Sequence, residues 1–221
     1  MKHNLFICCF LLLGGLNLSA QVSGYLGKRT IVGIEARFFP NVWQTLSNAQ
    51  PVRLNAQAGV QMERVLTRSL SAGIHIQALS SRTFYESAQG GGRMAISGQH
   101  IGIDVRSYTF RKRGNIPPLG PQHRFGLSFL RYQLRDLNLN YFPDGRRDLG
   151  TFQAAVLNYS LMAQRVYLDK YVLSTGVNFS WMIPFTPSGF PLTDRFLWDR
   201  SVSRLRGFFA GQLVVGMGVL L

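Results

Sequence analysis

Short segments in which apolar residues alternate with polar residues or glycine recur along the chain. Between Leu54 and Glu63 every even position is apolar and every odd position is polar or glycine. A period of two is typical of a β-strand with two different faces, because successive side chains point to opposite sides. The alternation predicts eight strands, at residues 30–38, 54–63, 70–78, 101–106, 124–132, 152–164, 173–181 and 213–221.

The segments between these strands alternate in length. The first, third, fifth and seventh connections are long, and the other three are mostly shorter. The long ones cover residues 39–51, 80–93, 136–150 and 184–204, and the shorter ones cover 64–68, 112–121 and 165–170. Long loops on one side and turns on the other are typical of an antiparallel up-and-down transmembrane barrel, which would place both termini on the periplasmic side.

The face opposite the apolar one combines polar side chains with many glycines, such as Gly33, Gly102 and Gly176. Glycine weakens an exposed strand, whereas a narrow eight-stranded interior needs small residues between large ones. A membrane barrel is therefore favoured over the alternative of a soluble lipocalin-like barrel or sandwich, whose apolar face would point inward. Aromatic residues near strand ends suggest the two interfacial girdles: Phe38, Phe39, Trp43, Tyr108, Phe110, Tyr167, Tyr171, Phe179, Trp181, Phe185, Phe208 and Phe209.

The polar face is predicted to form a hydrogen-bonded network that packs the lumen. Its titratable members are Glu35, Arg37, Glu63, His75, His100, Asp104 and Arg106. His75 and His100 share the inward face of neighbouring strands, with Asp104 close by, so a metal site is the alternative reading. Interior polar packing is favoured, and we expect neither a metal nor another cofactor.

The first 20 residues have the features of an export signal. Lys2 precedes an apolar run at residues 5–13, and Ala20 offers a small residue at the cleavage position. These features predict a signal peptide at residues 1–20, export through the Sec pathway and a mature barrel domain at residues 21–221. Cys8 and Cys9 both lie in the predicted signal, which leaves no thiol chemistry to the mature chain.

The chain is strongly basic, with 24 Lys and Arg against 10 Asp and Glu and a net charge of +14. An exported protein does not ordinarily meet nucleic acid, but phosphate is abundant at a membrane surface, where guanidinium groups bind it bidentately. We therefore expect lipopolysaccharide and phospholipids as partners, with simple solvated charge as the alternative. The candidate lipid-phosphate residues are Arg111, Lys112, Arg113, Arg146, Arg147, Arg204 and Arg206.

The last predicted strand runs to Leu221. It is similar to the terminal segment that the barrel-assembly machinery reads in small outer-membrane barrels of the OmpA/OmpX type, found in diderm, Gram-negative bacteria. The chain resembles this family from about residue 30 to its end, although the usual last residue is aromatic. The resemblance implies an outer-membrane barrel without a peptidoglycan-binding domain, and contact with the assembly machinery during insertion.

No catalytic arrangement is recognisable in the sequence. Ser71, Ser97, His75 and His100 are scattered over different strands, so a membrane-embedded acylhydrolase or acyltransferase is only an alternative. We expect a non-enzymatic role that is structural, adhesive or accessory within an envelope protein complex. A small pore is the other alternative, which is less favoured because side chains fill an eight-stranded interior.

Overall fold

Strands and one helix make up the regular structure in the computed structural model, which describes residues 25–40, 54–87, 90–109, 117–136, 147–185 and 195–221. The predicted signal peptide lies outside these residues, so it stays a prediction. The helix is α1 (Arg195–Ala210). The strands are β1 (Thr30–Pro40), β2 (Leu54–Val65), β3 (Leu70–Ser87), β4 (Gly90–Tyr108), β5 (Gly120–Asp136), β6 (Arg147–Tyr167), β7 (Tyr171–Phe185) and β8 (Gln212–Leu220).

The strands close into a barrel in which each one pairs antiparallel with its neighbours in sequence. The seam between β1 and β8 runs from the Ile31–Leu220 pair to the Phe38–Leu213 pair. Beyond it, the amide of Leu221 donates to the carbonyl of Thr30 at 2.7 Å. Because the barrel is closed, its central band leaves no unpaired sheet edge, although β3 beyond Leu79 pairs with β4 alone. The predicted eight-stranded all-β fold is confirmed.

Apolar side chains cover the outside of the barrel, and most polar ones face the inside. Ile34, Ile103 and Trp181 are 58%, 61% and 73% exposed, whereas Glu35 and Arg106 are each 1% exposed. This polarity is the inverse of that of a water-soluble barrel and matches a barrel surrounded by lipid. The lipocalin-like alternative is therefore wrong.

Strands β3 and β4 are much longer than predicted. Residues 80–93 were expected to form a long loop, but the two strands stay paired as far as Ser87 and Gly90. Apolar alternation ends near residue 79, while the backbone hydrogen bonds continue. Strands pair through backbone hydrogen bonds, so two strands can stay paired beyond the point where the apolar alternation that predicted them ends.

The largest difference from the prediction is α1, since residues 184–204 were expected to be a loop. The helix buries Val202, Leu205, Phe208 and Phe209, which join inward-facing strand residues in one apolar cluster. It therefore packs into the barrel at the end opposite the short turns. We call that end the loop end, and the end with turns 66–69 and 168–170 the turn end. No helix in the described ranges is long and apolar enough to cross a membrane.

The predicted aromatic girdles are only partly right. Tyr167, Tyr171, Phe179, Trp181 and Phe185 do face outward. Phe38 also lies on the outward face of β1, where it is half-buried. Trp43 and Phe110 lie outside the described residues. Four other aromatics point inward because they share the parity of the polar face or belong to α1: Phe39, Tyr108, Phe208 and Phe209.

The segment before β1 folds against the turn end. The Tyr25 hydroxyl donates to Asp169 Oδ1 at 2.8 Å, and Lys28 Nζ donates to the Asp169 carbonyl at the same distance. The first of these bonds raises the pKa of the Tyr25 hydroxyl. Tyr25 also packs, with Val166, against a small apolar cluster that covers this end of the lumen: Ile31, Val172 and Leu220.

Candidate functional site: the filled lumen

The centre of the barrel is a buried network of alternating charges. All seven titratable residues predicted for the lumen lie inside the barrel, each at most 3% exposed. Three carboxylates stand against three arginines, because Arg124 on β5 also enters the network. The arginines are Arg37, Arg106 and Arg124, and the carboxylates are Glu35, Glu63 and Asp104. With both histidines neutral, the network carries no net charge.

Glu35 on β1 joins three strands. Its Oε1 accepts from Arg37 Nε at 2.8 Å and from Gln77 Nε2 at 2.7 Å, and its Oε2 accepts from Arg124 Nη1 at 2.5 Å. Arg124 Nη2 also donates to Asp104 Oδ2 at 2.9 Å. Arg124 therefore links the carboxylates of β1 and β4 across the lumen.

Arg106 on β4 organises the half of the network nearer the turn end. Its Nε donates to Asp104 Oδ1 at 2.6 Å, its Nη1 donates to Glu63, and its Nη2 donates to Gln61 Oε1 at 2.9 Å. Glu63 also accepts from the Tyr108 hydroxyl and from other neighbours. Buried charges are kept only when they are paired and hydrogen-bonded in this way.

Glycines in the strands make room for these side chains, as their number in the sequence suggested. A Cβ on Gly102 would lie 2.7 Å from two atoms of the His75 ring. A Cβ on Gly73 would lie 2.9 Å from Asp104 Oδ1 and 3.2 Å from Arg106 Nη2. These distances are shorter than normal contacts, so the side chains of the network fit only because glycine has no Cβ at these positions.

The two histidines meet edge to face, with their ring centroids 5.1 Å apart. His75 Nδ1 lies 3.3 Å from Asp104 Oδ2, and His100 Nδ1 lies 2.6 Å from Gln57 Nε2. The side chains around them are thus arranged as hydrogen-bond partners. Within the described ranges, no group of three or more His, Cys, Asp or Glu is placed to hold a metal ion.

Asp104, His75 and Ser128 form a chain that superficially resembles a hydrolytic triad. Ser128 Oγ lies 3.4 Å from His75 Nε2. However, Arg124 Nη2 lies 3.2 Å from His75 Nδ1 and also holds Asp104, so the carboxylate is shared with an arginine. All three members are at most 4% exposed, which leaves a substrate no access. The arrangement is suited to packing rather than to acyl transfer.

An apolar layer lies above the charged network, towards the loop end. Phe208 of α1 packs against Phe39, with ring centroids 4.3 Å apart, and Phe209 meets the edge of the His100 ring at 5.9 Å. The strands line this layer with buried apolar side chains: Leu79, Ile96, Leu130, Tyr132, Leu134, Phe152, Ala154, Val156 and Met182. The loop-end part of the lumen is therefore mainly apolar, with the buried Asn55–Ser81 hydrogen bond as a polar exception, whereas the sequence had predicted a polar interior throughout.

The predicted lipid-phosphate residues are not brought together in the part of the chain that the structure describes. Arg111, Lys112, Arg113 and Arg146 lie outside it. Arg147 begins β6, while Arg204 and Arg206 belong to α1 rather than to a free loop. Only Arg206 of these three is described as an exposed side chain.

Sequence reasoning missed Arg124, which bonds to two carboxylates of the network. A signal was present, because Arg124 shares its parity with Gly126 and Ser128, both of which face inward on β5. The predicted strand began at residue 124, but the predicted network did not include this arginine. The buried glutamines Gln57, Gln61 and Gln77 also complete the network.

A closed eight-stranded barrel with an apolar outside and a filled interior has the fold of a small transmembrane β-barrel. Three solved structures are similar to it: the N-terminal barrel domain of Pseudomonas aeruginosa OprF, the attachment invasion locus protein Ail of Yersinia pestis in complex with sucrose octasulfate, a heparin analogue, and neisserial surface protein A.

Sequence identity to these three is low. OprF is 10% identical, with a TM-score of 0.41, and 88% of this chain and 98% of that chain are covered. Ail is 5% identical over 88% and 97%, and the neisserial protein is 9% identical over 87% and 97%, both with a TM-score of 0.45. No protein-family model matches the sequence, and no curated protein matches it.

Proposed function

We propose that the protein is a non-conducting outer-membrane barrel that acts as a structural, adhesive or accessory component of the bacterial envelope. In this role the barrel is a membrane anchor, and its ligands or partners are met outside the lipid-facing band. We propose no reaction, because the charged side chains of the lumen are buried and paired with one another. We also propose that the protein is exported through the Sec pathway and resides in the outer membrane.

The observation that carries this proposal is that the lumen is filled in two layers of different chemistry. The charged network occupies the turn-end half, and the side chains of α1 occupy the loop-end half. Either layer alone would obstruct an eight-stranded barrel, whose interior is only wide enough for side chains. A solute would have to displace both the ion pairs and the apolar plug.

A pair of measurements tests the proposal. The membrane fraction of a Gram-negative host should retain the mature protein after a wash with high salt, and purified protein in a planar lipid bilayer should give no large, stable current steps. A porin of known conductance serves as the positive control. Recovery of the protein in the soluble fraction, or reproducible current steps, would show the proposal to be wrong.

A further inference from the structure

Exposed cations surround the turn end of the barrel and have almost no acidic counterpart there. We call these cations, together with the half-buried Lys28, the turn-end rim: Lys28, Arg29, Arg64, Arg68, Arg165 and Lys170. Asp169 has the only exposed acidic side chain at this end of the described structure, and its carboxylate accepts from Tyr25. Among the described residues, no ion pair joins a rim cation to a carboxylate. The side chains of the rim thus carry a clear excess of positive charge.

Two rim arginines stand on the lipid-facing side of the barrel rather than in the turns. Arg64 continues the outward row of Val60 and Met62 on β2, and Arg165 continues the row of Leu161 on β6. Alternate residues of a strand share a face, so both arginines lie directly below the apolar band. A lipid headgroup reaches this position, whereas a soluble partner would have to approach along the membrane surface.

Tyrosines mark the same depth. Tyr167 and Tyr171 are 46% and 43% exposed on the outside of β6 and β7, and Lys170 Nζ lies 5.9 Å from the centroid of the Tyr171 ring. Amphipathic aromatic rings of this kind belong to the interface between the apolar core and the headgroups. The rim therefore lies at headgroup level, where arginine binds phosphate through two parallel hydrogen bonds.

We infer that the turn-end rim is a binding surface for anionic phospholipids of the periplasmic leaflet. This inference rests on the proposed function, since it requires the barrel to be inserted with its turns towards the periplasm. At the loop end, by comparison, Arg135 is paired with Asp148 at 3.6 Å. The rim residues are also different from the arginines that the sequence had suggested as phosphate ligands.

The test compares lipids retained by the mature protein in nanodiscs made from an equimolar mixture of phosphatidylglycerol and phosphatidylethanolamine. After extraction with mild detergent, native mass spectrometry counts the molecules of each lipid that stay bound. We expect the wild type to retain phosphatidylglycerol preferentially. Arg64→Gln/Arg165→Gln should lower this preference about fivefold for each arginine removed, and high salt should weaken it in the wild type.

A matched control changes two arginines at the loop end, Arg135→Gln/Arg206→Gln, and should keep the wild-type preference. Circular dichroism checks that both variants are folded. Equal retention of the two lipids by the wild type, or an equal loss in the control, would overturn the inference while leaving the proposed function intact. Failure of the wild type to enter nanodiscs would overturn both. Capture of soluble polyglutamate without any phospholipid preference would assign the rim to an acidic protein instead.

Discussion

Each charged residue of the lumen depends on several others. Glu35 bonds to Arg37, Arg124 and Gln77, so its removal would break the ion pair of the buried Arg37 and leave Arg124 with Asp104 alone. The ion pair between Arg135 and Asp148 has the same chemistry, but their side chains are 41% and 61% exposed. These two sites allow the effect of burial to be separated from the effect of charge.

We predict that Glu35→Ala destabilises the barrel by about 3 to 5 kcal/mol, the usual cost of breaking a buried pair. Asp148→Ala should change the free energy of unfolding by no more than about 1 kcal/mol, because exposed pairs contribute little. Urea unfolding in lipid vesicles measures both. Similar small effects from the two substitutions would mean that Glu35 faces water and that the closed network is wrong.

A second prediction concerns the glycines that give the network its room. Gly102→Ala should destabilise the barrel by about 1 to 3 kcal/mol, because the new Cβ would press on the His75 ring. Gly207→Ala on α1 is the matched control, since nothing lies within 4 Å of the position of its Cβ. There the substitution should be neutral or stabilising by up to about 1 kcal/mol. Thermal unfolding in detergent distinguishes the two, and equal effects would contradict the packing described.

At the scale of elements, the strands and the helix use one interior in two ways. Strands β1 to β4 place charged side chains in the turn-end part of the lumen. Strands β5 and β6 line the loop-end part with apolar residues, against which α1 packs. The same strand can do both: β5 turns from Arg124 and Ser128 to Leu130 and Leu134 along a single inward face. The helix therefore completes the core rather than covering it from outside.

We predict that Phe208→Ala and Phe209→Ala each destabilise the barrel by about 3 to 5 kcal/mol, the range for a buried phenylalanine. Ser203→Ala, at an exposed position of the same helix, should stay within about 0.5 kcal/mol of the wild type. Denaturant unfolding gives the free energies, and cleavage by a protease added outside reports whether α1 leaves the barrel. Three indistinguishable variants would place the helix outside the core.

On the outer surface, Ile74 and Ser80 share the outward face of β3 but differ in depth. Arg at Ile74 should cost about 2 to 4 kcal/mol, and Arg at Ser80 should cost at most about 1 kcal/mol, because the penalty falls from the bilayer midplane to the interface. The free energy of unfolding in vesicles again provides the measurement. Tolerance of Arg at both positions would contradict the lipid-facing assignment.

Period-two patterning was sufficient to predict all eight strands and the facing of their side chains, because lipid outside and a narrow lumen inside constrain alternate residues differently. The prediction failed where the two faces of a strand no longer differ in polarity. The extensions of β3 and β4 past residue 79 are polar or rich in glycine, so nothing in their pattern separates them from a loop.

The helix was missed for another reason. The arginines of residues 195–206 suggested a solvated loop, although Val202, Leu205 and Phe209 have the spacing of one helical face. In an otherwise all-β chain that weak signal was outweighed. The individual contacts in the lumen are also beyond sequence reasoning, since parity puts Arg124 and Glu35 in one interior without saying that they meet.

In the whole molecule, the apolar layer and the charged network obstruct the lumen one after the other. We predict that Phe208→Ala/Phe209→Ala, despite its loosened apolar layer, still gives no stable current in a planar bilayer, because the network of Glu35, Asp104 and Arg124 remains beneath it. Current steps in this variant but not in the wild type would show that α1 alone closes the barrel. The single-channel recordings need variants that are shown to be folded.

The seam between β1 and β8 sets the order in which the molecule can be made. Its paired residues, such as Ile31 and Leu220, lie almost a whole chain length apart in the sequence. The entropic cost of closing the ring therefore falls on the last step of folding. Until β8 has been made, β1 has no second neighbour and its backbone groups on that side are unpaired. The chain must therefore be synthesised at least as far as β8 before the barrel can close, and the open sheet needs protection from aggregation throughout that interval.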